Sequence, residues 1–318
     1  MKIHVRTNID DKWLRNKGEL PFSIPFIDES KYETLNREYV DPIDYGMFDV
    51  LRETGRDFLE NVSIDECDYV VYPHKWDNRD SEAEEIIKEA KSHGKKVLFF
   101  FNSDDTHKLE IEEDEGYIFR TSFTRSDRLS NEYSLPPFVV DPYLNKDVPV
   151  LDSEKASVGF CGGVTHTARY IALDNLHRSN IKTNFIIRKG FWAPGMTKKD
   201  ARDEMRKNIE ENIFTVCARG AGNFSYRLME VMCMGRIPII IDSDCVLPFG
   251  DIVNWSEHSI IVPVSELNDI ANIVESYYEW NKENLQEIQR QNRKIWLEYL
   301  SPQGFVKNAH RLLELQNV

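Results

Sequence analysis

The residues best suited to chemistry in this sequence lie in a loop and in the short helix predicted to follow it. Arg219, Gly220 and Gly222 make the loop basic and glycine-bearing, and the helix is predicted to begin near Ser225. Glycine allows a ligand to approach the backbone closely. A helix N-terminus adds free N–H groups and the positive end of the helix dipole. Together these features are typical of a phosphate-binding site.

Two further side chains extend this interpretation. Arg227, like Arg219, can form paired hydrogen bonds to phosphate oxygens. Glu230 follows Arg227 by one turn on the same predicted helical face, where it can accept hydrogen bonds from ribose hydroxyls. Ser225 suits the N-cap position, which does not exclude a phosphate contact. The alternative is a simple intrahelical Arg227–Glu230 pair, although a cation near a helix N-terminus is unfavourable without an anion.

A second anion-facing loop is expected after the Gly162-Gly163 turn. His166 and Arg169 follow that turn and are the side chains that we expect to face the anion. Polar loop residues are often merely solvated, so for His166 an ordinary solvated role stays open.

Elements that alternate between strand and helix must position these residues. Apolar runs of strand length alternate with helical patterns through both halves, which indicates α/β layers with parallel sheets. Strands are predicted at 3–5, 69–72, 97–101, 117–121, 158–160, 184–187, 214–217 and 237–241. A helix from Glu82, with a capping box at Ser81, is expected to stop at Gly94. Residues 141–156 are predicted to be a linker, and the chain after Glu266 to be mostly helical.

The segment from Arg219 to Ile260, called here the signature segment, has an order of residue types that is more specific than a glycine loop. Its ordered residues are Ser225, Arg227, Glu230, Gly235, Ile237-Pro238-Ile239-Ile240, Asp244, Leu247-Pro248-Phe249, Trp255 and Ser259-Ile260. This order resembles the C-terminal signature of the exostosin-type glycosyltransferases, family 47. Two weaker matches are Val158–Gly163 with Arg169, and Asp68–Pro73. The chain departs from the family pattern at Arg236, where a small residue or Cys is common.

The resemblance implies a GT-B fold, with two Rossmann-like α/β domains that face a central cleft and a helical C-terminal tail. Residues 1–150 would form the acceptor-binding domain, and residues 151–318 the nucleotide-sugar-binding domain with the tail. A last helix at Phe305–Leu315 is the candidate for crossing back to the first domain. The donor-binding residues would be Arg169, His166, Arg219, Gly220, Ser225, Arg227 and Glu230.

The implied activity is transfer of a hexosyl or pentosyl group from a nucleotide-sugar to a hydroxyl of a glycan or lipid-linked glycan, with inversion. Synthesis of a surface polysaccharide would suit the absence of an apolar signal and of the membrane anchor of animal members. The alternative is a non-catalytic nucleotide- or carbohydrate-binding module on the same scaffold. A third interpretation is a GT-B epimerase or phosphorylase. A phosphorylase of the familiar kind would need a lysine that binds pyridoxal phosphate, and no convincing candidate is visible.

Composition narrows the class of protein. The 318 residues carry a net charge of −14, which argues against a nucleic-acid partner. The five cysteines include no Cys-x-x-Cys pair, which favours a reduced compartment without disulfides or zinc. No apolar run approaches the length of about 18 to 20 residues that spans a bilayer. We therefore expect a cytoplasmic protein, either free or peripheral at the inner face of the membrane.

An Asp-Ser-Asp stretch, Asp242-Ser243-Asp244, follows an apolar strand and raises the question of a metal. Asp-x-Asp in that position marks metal-dependent GT-A transferases, whose carboxylates hold a divalent cation. Here it follows the order of a GT-B domain, so a turn-forming acidic loop is the favoured interpretation. We expect no metal and no cofactor beyond a UDP- or GDP-sugar, with arginines at the leaving diphosphate.

An inverting transfer also needs a base to take the proton of the acceptor hydroxyl. His74 and Asp77 follow one predicted strand of the first half, and Asp104 and Asp105 follow the next. Ligands of open α/β sheets bind at the carboxyl ends of the strands. Asp104 and Asp105 rank above His74, although strand-end turn residues remain the alternative for each. Trp76 and Trp192 suit stacking on a sugar, with core or loop packing as the preferred alternative.

Overall fold

The computed structural model describes residues 1–5, 21–33, 44–76, 79–190 and 193–315. The chain divides into two compact units. Unit 1 comprises Met1–Val140, Val246–Ile252 and Glu298–Val318, and unit 2 comprises Asp141–Cys245 and Val253–Leu297. Both units are α/β structures in the described residues, as the alternation of apolar strand and helix patterns predicts.

Unit 1 is built on a six-stranded sheet in the spatial order β2-β1-β3-β4-β5-β6. The strands are β1 (Lys2–Val5), β2 (Glu60–Asn61), β3 (Tyr69–Lys75), β4 (Lys96–Phe101), β5 (Gly116–Arg120) and β6 (Glu132–Ser134). All neighbouring strands pair in parallel. The described helices are α1 (Asp49–Thr54), α2 (Ser81–Ser92) and short 3-10 turns at Ile24–Phe26 and Gly55–Asp57.

The continuous apolar run of β4 explains its central place. Val97, Phe99 and Phe101 lie in one buried cluster with α2 and with Trp76, while Phe100 stacks on Phe119 with ring centroids 5.6 Å apart. A strand apolar on both faces belongs in the middle of a parallel sheet that is covered on both sides. The packing of Trp76 in this core confirms the preferred alternative to sugar stacking.

Helix α2 corrects one detail of the predicted capping. Asp80, not Ser81, occupies the N-cap position, and its carboxylate accepts a hydrogen bond from the Ala83 N–H at 2.9 Å. Aspartate and serine compete for such a position because both offer a side-chain oxygen. The helix ends before Gly94, whose φ of +66° suits glycine, as predicted.

Unit 2 is built on a five-stranded sheet in the spatial order β11-β10-β9-β7-β8. The strands are β7 (Ser157–Gly163), β8 (Lys182–Arg188), β9 (Phe214–Cys217), β10 (Ile237–Asp242) and β11 (Ile260–Pro263). All neighbouring strands again pair in parallel. The helices are α3 (Thr167–Arg178), α4 (Lys198–Glu210), α5 (Tyr226–Cys233), α6 (Trp255–His258), α7 (Ile270–Asn281) and α8 (Leu285–Ile295), with 3-10 turns at Val264–Asp269 and Lys282–Asn284.

The C-terminal tail continues through a π-helical stretch at Trp296–Leu300 into α9 (Pro302–Glu314). Sequence analysis assigned this tail to the second domain, whereas the structure packs it with unit 1. Phe305 supplies a physical reason, because its ring packs edge-on against Phe119 at 5.3 Å and Phe138 at 5.7 Å. The helix covering Phe305–Leu315 is thus the one that returns to unit 1.

Trp255 differs from its expected environment. The signature segment suggests an exposed tryptophan after the Pro-Phe turn, but Trp255 is only 4% exposed at the start of α6. Arg236, the departure from the family pattern, is likewise buried. It donates hydrogen bonds to the carbonyl oxygens of Pro149 at 2.8 Å and Glu210 at 3.0 Å. Arg236 therefore links the segment before β7 to the end of α4.

Candidate functional site

The carboxyl ends of β7, β8 and β9 lie along one edge of the unit 2 sheet, because these neighbouring strands are parallel. The loop after β7 carries His166, the loop after β9 carries Arg219 and Gly220, and α5 follows. This edge therefore collects both loops that sequence analysis predicted to face an anion.

Arg169 joins the two loops. Its Nη1 donates to the Gly163 carbonyl at 2.5 Å, and its Nη2 donates to the carbonyls of Ala218 at 2.7 Å and Arg219 at 2.8 Å. Its buried Nε has no hydrogen-bond partner within the described ranges. Burial, followed by the nearby charge of Arg227, lowers the pKa of the Arg169 guanidinium. Arg169 thus holds the two loops together and places a buried guanidinium near Arg227.

Arg227 and Glu230 do form the intrahelical pair that was the alternative interpretation. Arg227 Nη1 lies 2.7 Å from Glu230 Oε2, and Arg227 Nη2 donates to the Cys161 carbonyl at 2.7 Å. Glu230 also receives Arg202 Nη1 from α4, at 3.2 Å from Oε1. The pair does not exclude ligand binding, since it holds the guanidinium at the edge of the sheet.

Arg202 is a member of this cluster that sequence analysis missed. The basic stretch from Lys198 to Lys207 suggests a solvated helix face, yet Arg202 reaches Glu230 across 28 residues. Ala201 and Met205, which lie near Arg202 on α4, are buried. The helical period therefore gives a weak signal that Arg202 lies close to the packed face of the helix. Only the packing of α4 against the sheet reveals the partner.

Arg219 is positioned by a buried amide. Its Nη1 donates to Asn223 Oδ1 at 3.3 Å and its Nη2 to the Ala221 carbonyl at 2.9 Å. Asn223 is 1% exposed and also accepts a hydrogen bond from the Ser243 hydroxyl at 2.7 Å. The buried Nε of Arg219 has no hydrogen-bond partner in the part of the chain that the structure describes. Asn223, another residue that sequence analysis missed, therefore ties the glycine loop to the acidic loop after β10.

Ser225 occupies the N-cap position of α5, as predicted, but its side chain makes no capping hydrogen bond to the described helix. The Ser225 carbonyl instead accepts from the Leu228 N–H at 3.1 Å. The predicted side-chain cap is therefore wrong. Because the Ser225 hydroxyl accepts no hydrogen bond from the first N–H groups of the helix, these N–H groups stay available to another acceptor.

His166 caps α3. Its Nδ1 accepts a hydrogen bond from the Ala168 N–H at 3.2 Å, so Nε2 carries the proton of the neutral ring. Burial, followed by repulsion from Arg219 and Arg169, lowers the pKa of the imidazole. His166 is therefore neutral at pH 7 and presents an N–H donor among arginines.

The acidic stretch at the end of β10 forms a turn, as predicted. Asp242 Oδ1 accepts a hydrogen bond from the Asp244 N–H at 3.0 Å, and Asp244 has a φ of +62°. Asn223 Nδ2 donates to the Asp244 carbonyl at 3.3 Å. Among the described residues, no group of three or more His, Cys, Asp or Glu side chains is arranged to hold a metal ion.

The predicted catalytic bases lie in unit 1. Asp104 and Asp105 follow the carboxyl end of β4 and are exposed. His74 was placed beyond a strand by sequence analysis, but β3 extends to Lys75, so His74 lies inside it and is 4% exposed. Its Nε2 lies 3.3 Å from Glu82 Oε1. A base must reach its substrate, which favours the exposed aspartates on geometry. Asp77 and Trp192 lie outside the described residues.

Gly220 permits a test of close approach by a ligand. A Cβ added at Gly220 would meet no heavy atom within 4 Å. We expect Gly220→Ala to change the free energy of unfolding by less than about 0.5 kcal/mol while weakening UDP binding, measured by calorimetry.

Gly235→Ala is the control variant, because Gly235 has a φ of +60° and an added Cβ would lie 2.5 Å from Val148 Cγ2. That variant should lose about 1 kcal/mol or more of stability. Unchanged UDP affinity in Gly220→Ala would contradict close approach at this loop.

The chain has two α/β units, each built on a parallel sheet, and the second unit has a basic edge formed by loops and the start of a helix. This combination defines the GT-B class of protein. The facing of the two units across a cleft stays a prediction. Residues 149–277 match the family model described as the Exostosin GT47 domain. This match confirms the resemblance seen in the signature segment.

Curated relatives agree with this assignment. Bovine (Bos taurus) exostosin-2 is 32% identical over 91 residues, which cover 29% of this chain and 12% of the relative. A probable glycosyltransferase of Arabidopsis thaliana is 30% identical over 117 residues, covering 37% of this chain and 21% of the relative. A probable beta-1,4-xylosyltransferase of the same plant is 34% identical over 70 residues, covering 22% and 17%. The chain thus matches about an eighth to a fifth of the length of these relatives.

Among solved structures, Anabaena HepE in complex with UDP and glucose aligns over 100% of this chain and 99% of that chain, with 10% identity and a TM-score of 0.47. An alpha1,3-fucosyltransferase aligns over 99% of this chain and 90% of that chain, with 11% identity and a TM-score of 0.38.

Within the described residues, no helix is long and apolar enough to cross a membrane.

Proposed function

We propose that this protein is a glycosyltransferase that moves a sugar from a nucleotide-sugar to a hydroxyl of a glycan or lipid-linked glycan. One observation carries the proposal: the residues that match the exostosin GT47 domain include the basic edge formed by Arg169, Arg219 and Arg227. Two of these guanidinium groups keep a buried Nε without a protein partner in the described ranges. A diphosphate would satisfy both N–H groups and the positive charge.

The donor diphosphate is proposed to lie on this edge, near the start of α5. Arg219 and Arg227 would bind its oxygens, and the neutral His166 would donate from Nε2. Glu230, held by Arg202 and Arg227, has a carboxylate that can accept hydrogen bonds from ribose hydroxyls. The leaving diphosphate gains negative charge in the transition state, and fixed cations stabilise that charge without reorganisation. We therefore propose chemistry that needs no metal ion.

The finer parts of the proposal follow from the family. Names of relatives include xylosyl- and glucuronosyltransferases, which supports UDP-xylose and UDP-glucuronate as the first donors to test. Inversion of the anomeric configuration, a role in surface polysaccharide synthesis and a cytoplasmic location, free or peripheral at the membrane, complete the proposal. The hexosyl or pentosyl specificity is set by a few pocket contacts.

Nucleotide binding tests the donor site. We expect UDP or GDP, but not CMP, to raise the melting temperature of the protein equally with and without EDTA, because a ligand that binds only the folded state stabilises it. A shift that EDTA abolishes would contradict metal independence and point to Asp242 and Asp244. No shift with UDP, GDP, CMP or dTDP would contradict the donor site. Release of xylose or glucuronate from the UDP-sugar separates an enzyme from a non-catalytic binding module.

A further inference from the structure

The Glu230 carboxylate on α5 lies between two guanidinium groups that belong to different helices of unit 2. Arg227 Nη1, from the same helix, lies 2.7 Å from Glu230 Oε2, and Arg202 Nη1, from α4, lies 3.2 Å from Glu230 Oε1. The Glu230 side chain is 12% exposed, and those of Arg227 and Arg202 are 17% and 20% exposed. These three side chains, called here the Arg202 triad, therefore place two cations on one largely buried carboxylate.

Within the triad, Arg227 is close to the carboxylate but is not hydrogen bonded to it through Nη1. This buried nitrogen has no hydrogen-bond partner within the described ranges, although it lies 2.7 Å from Glu230 Oε2. The other terminal nitrogen, Nη2, donates to the Cys161 carbonyl of β7 at 2.7 Å. Arg227 is thus fixed to the sheet while the N–H groups of its Nη1 stay without an acceptor in the described part of the chain.

Another pair in unit 2 shows the alternative arrangement. Arg293 donates from Nη1 to Asp141 Oδ1 at 3.1 Å and from Nη2 to Asp141 Oδ2 at 2.8 Å. Two parallel hydrogen bonds of this kind are frequent between an arginine and a carboxylate. In the triad the second carboxylate oxygen, Glu230 Oε1, accepts from Arg202 instead. A competing cation from another helix therefore distinguishes the triad from a closed pair.

Arg202 can hold this oxygen because α4 is attached to the neighbouring strand. Arg188, the last residue of β8, donates from Nη2 to the Ala201 carbonyl at 2.6 Å and to Glu204 Oε2 at 3.0 Å. These two contacts fix α4 on both sides of Arg202 in the sequence. The position of the second cation is thus set by the sheet, independently of any ligand.

We propose, resting on the function proposed above, that Arg202 is a positioning residue that keeps Arg227 open to the donor diphosphate. By holding Glu230 Oε1, Arg202 prevents the carboxylate from forming two hydrogen bonds with Arg227. The N–H groups of Arg227 Nη1 then donate to a phosphate oxygen of the nucleotide. Arg202 acts through Glu230 and needs no contact with the ligand.

The test is a double-mutant cycle on the Kd of UDP, measured by calorimetry with the full chain. We expect Arg202→Gln to weaken UDP binding by about 5- to 20-fold, as for other coupled neighbours, because Glu230 then closes onto Arg227. In the Glu230→Gln background the competing carboxylate is gone, so adding Arg202→Gln should change the Kd by less than about twofold. Arg202→Lys keeps a cation for Glu230 Oε1 and should restore most of the affinity.

Arg206→Gln is the matched control on the same helix. Arg206 Nη1 lies 3.8 Å from Asp203 Oδ1 within α4, and its side chain is 26% exposed. Its loss should therefore leave the Kd of UDP unchanged.

Two results would overturn the inference. One is equal UDP affinity in Arg202→Gln and the wild type. The other is an equal loss of affinity with Glu230 and with Glu230→Gln, since a structural role or a direct contact with UDP does not depend on the charge at position 230. If Arg227→Ala weakens UDP binding and Arg202→Gln does not, the donor site stands and the inference alone fails. Absence of UDP binding by the wild type would overturn both.

Discussion

Replacing Arg227 with alanine is expected to weaken UDP binding by about 10- to 100-fold, because a hydrogen bond to a charged group contributes about 1.5–3 kcal/mol. The fold should survive, since Glu230 keeps its second ion pair with Arg202 at 3.2 Å. Calorimetry gives the Kd, and the melting temperature of the free protein reports the fold.

Arg290→Ala is the matched control for this variant. Arg290 lies 3.3 Å from Glu287 in α8, another arginine–glutamate pair three residues apart, but both side chains are about half exposed. Its removal should leave both the Kd and the stability unchanged. Equal UDP affinity in Arg227→Ala and the wild type would place the diphosphate elsewhere.

Replacing Arg120 with methionine is expected to lower the free energy of unfolding of unit 1 by about 3–5 kcal/mol, because it leaves a buried carboxylate uncompensated. Arg120 Nη1 donates to Glu132 Oε1 at 2.7 Å. Glu132 is 4% exposed, and the Leu129 N–H that donates to its Oε2 at 3.0 Å does not neutralise its charge. Urea unfolding followed by circular dichroism measures the loss.

Two controls isolate the effect of the buried charge on stability. Arg178→Met breaks an exposed pair with Asp174 in α3 and should cost less than about 1 kcal/mol. In the double variant Arg120→Met with Glu132→Leu the uncompensated carboxylate is gone, so stability should partly return. Wild-type stability in Arg120→Met would contradict the role of the buried pair.

Much of the geometry of the candidate site could be predicted because its residues are close in sequence. The glycine loop, the N-cap serine, Arg227 and Glu230 all lie within the twelve residues from Arg219 to Glu230. Residues one turn apart on a helix necessarily share a face. What could not be predicted is that Glu230 would be shared between two helices, since Arg202 belongs to α4.

The loop after β4 illustrates the opposite case. Asp105 and His107 are two residues apart, so their sequence spacing was visible, and an Asp-x-His after a buried strand is the signal that could have found the pair. The predicted bases were Asp104, Asp105 and His74. The structure shows that His74 is buried inside β3 and that the Asp105 carboxylate faces a histidine. Loop conformation depends on Arg120, which donates to the carbonyls of Asp105 and His107 and is distant in sequence, so spacing alone does not reveal it.

The sequence by itself determined the alternating elements, the parallel sheets and the resemblance to the exostosin family. These features are present in local periodicity and in the order of nearby residues. Only the tertiary structure decided that Arg169 bonds the carbonyls of Ala218 and Arg219, 49 and 50 residues away, and that the C-terminal helix packs with unit 1. The physical reason is the strand order β11-β10-β9-β7-β8, which makes neighbours of loops that are distant along the chain.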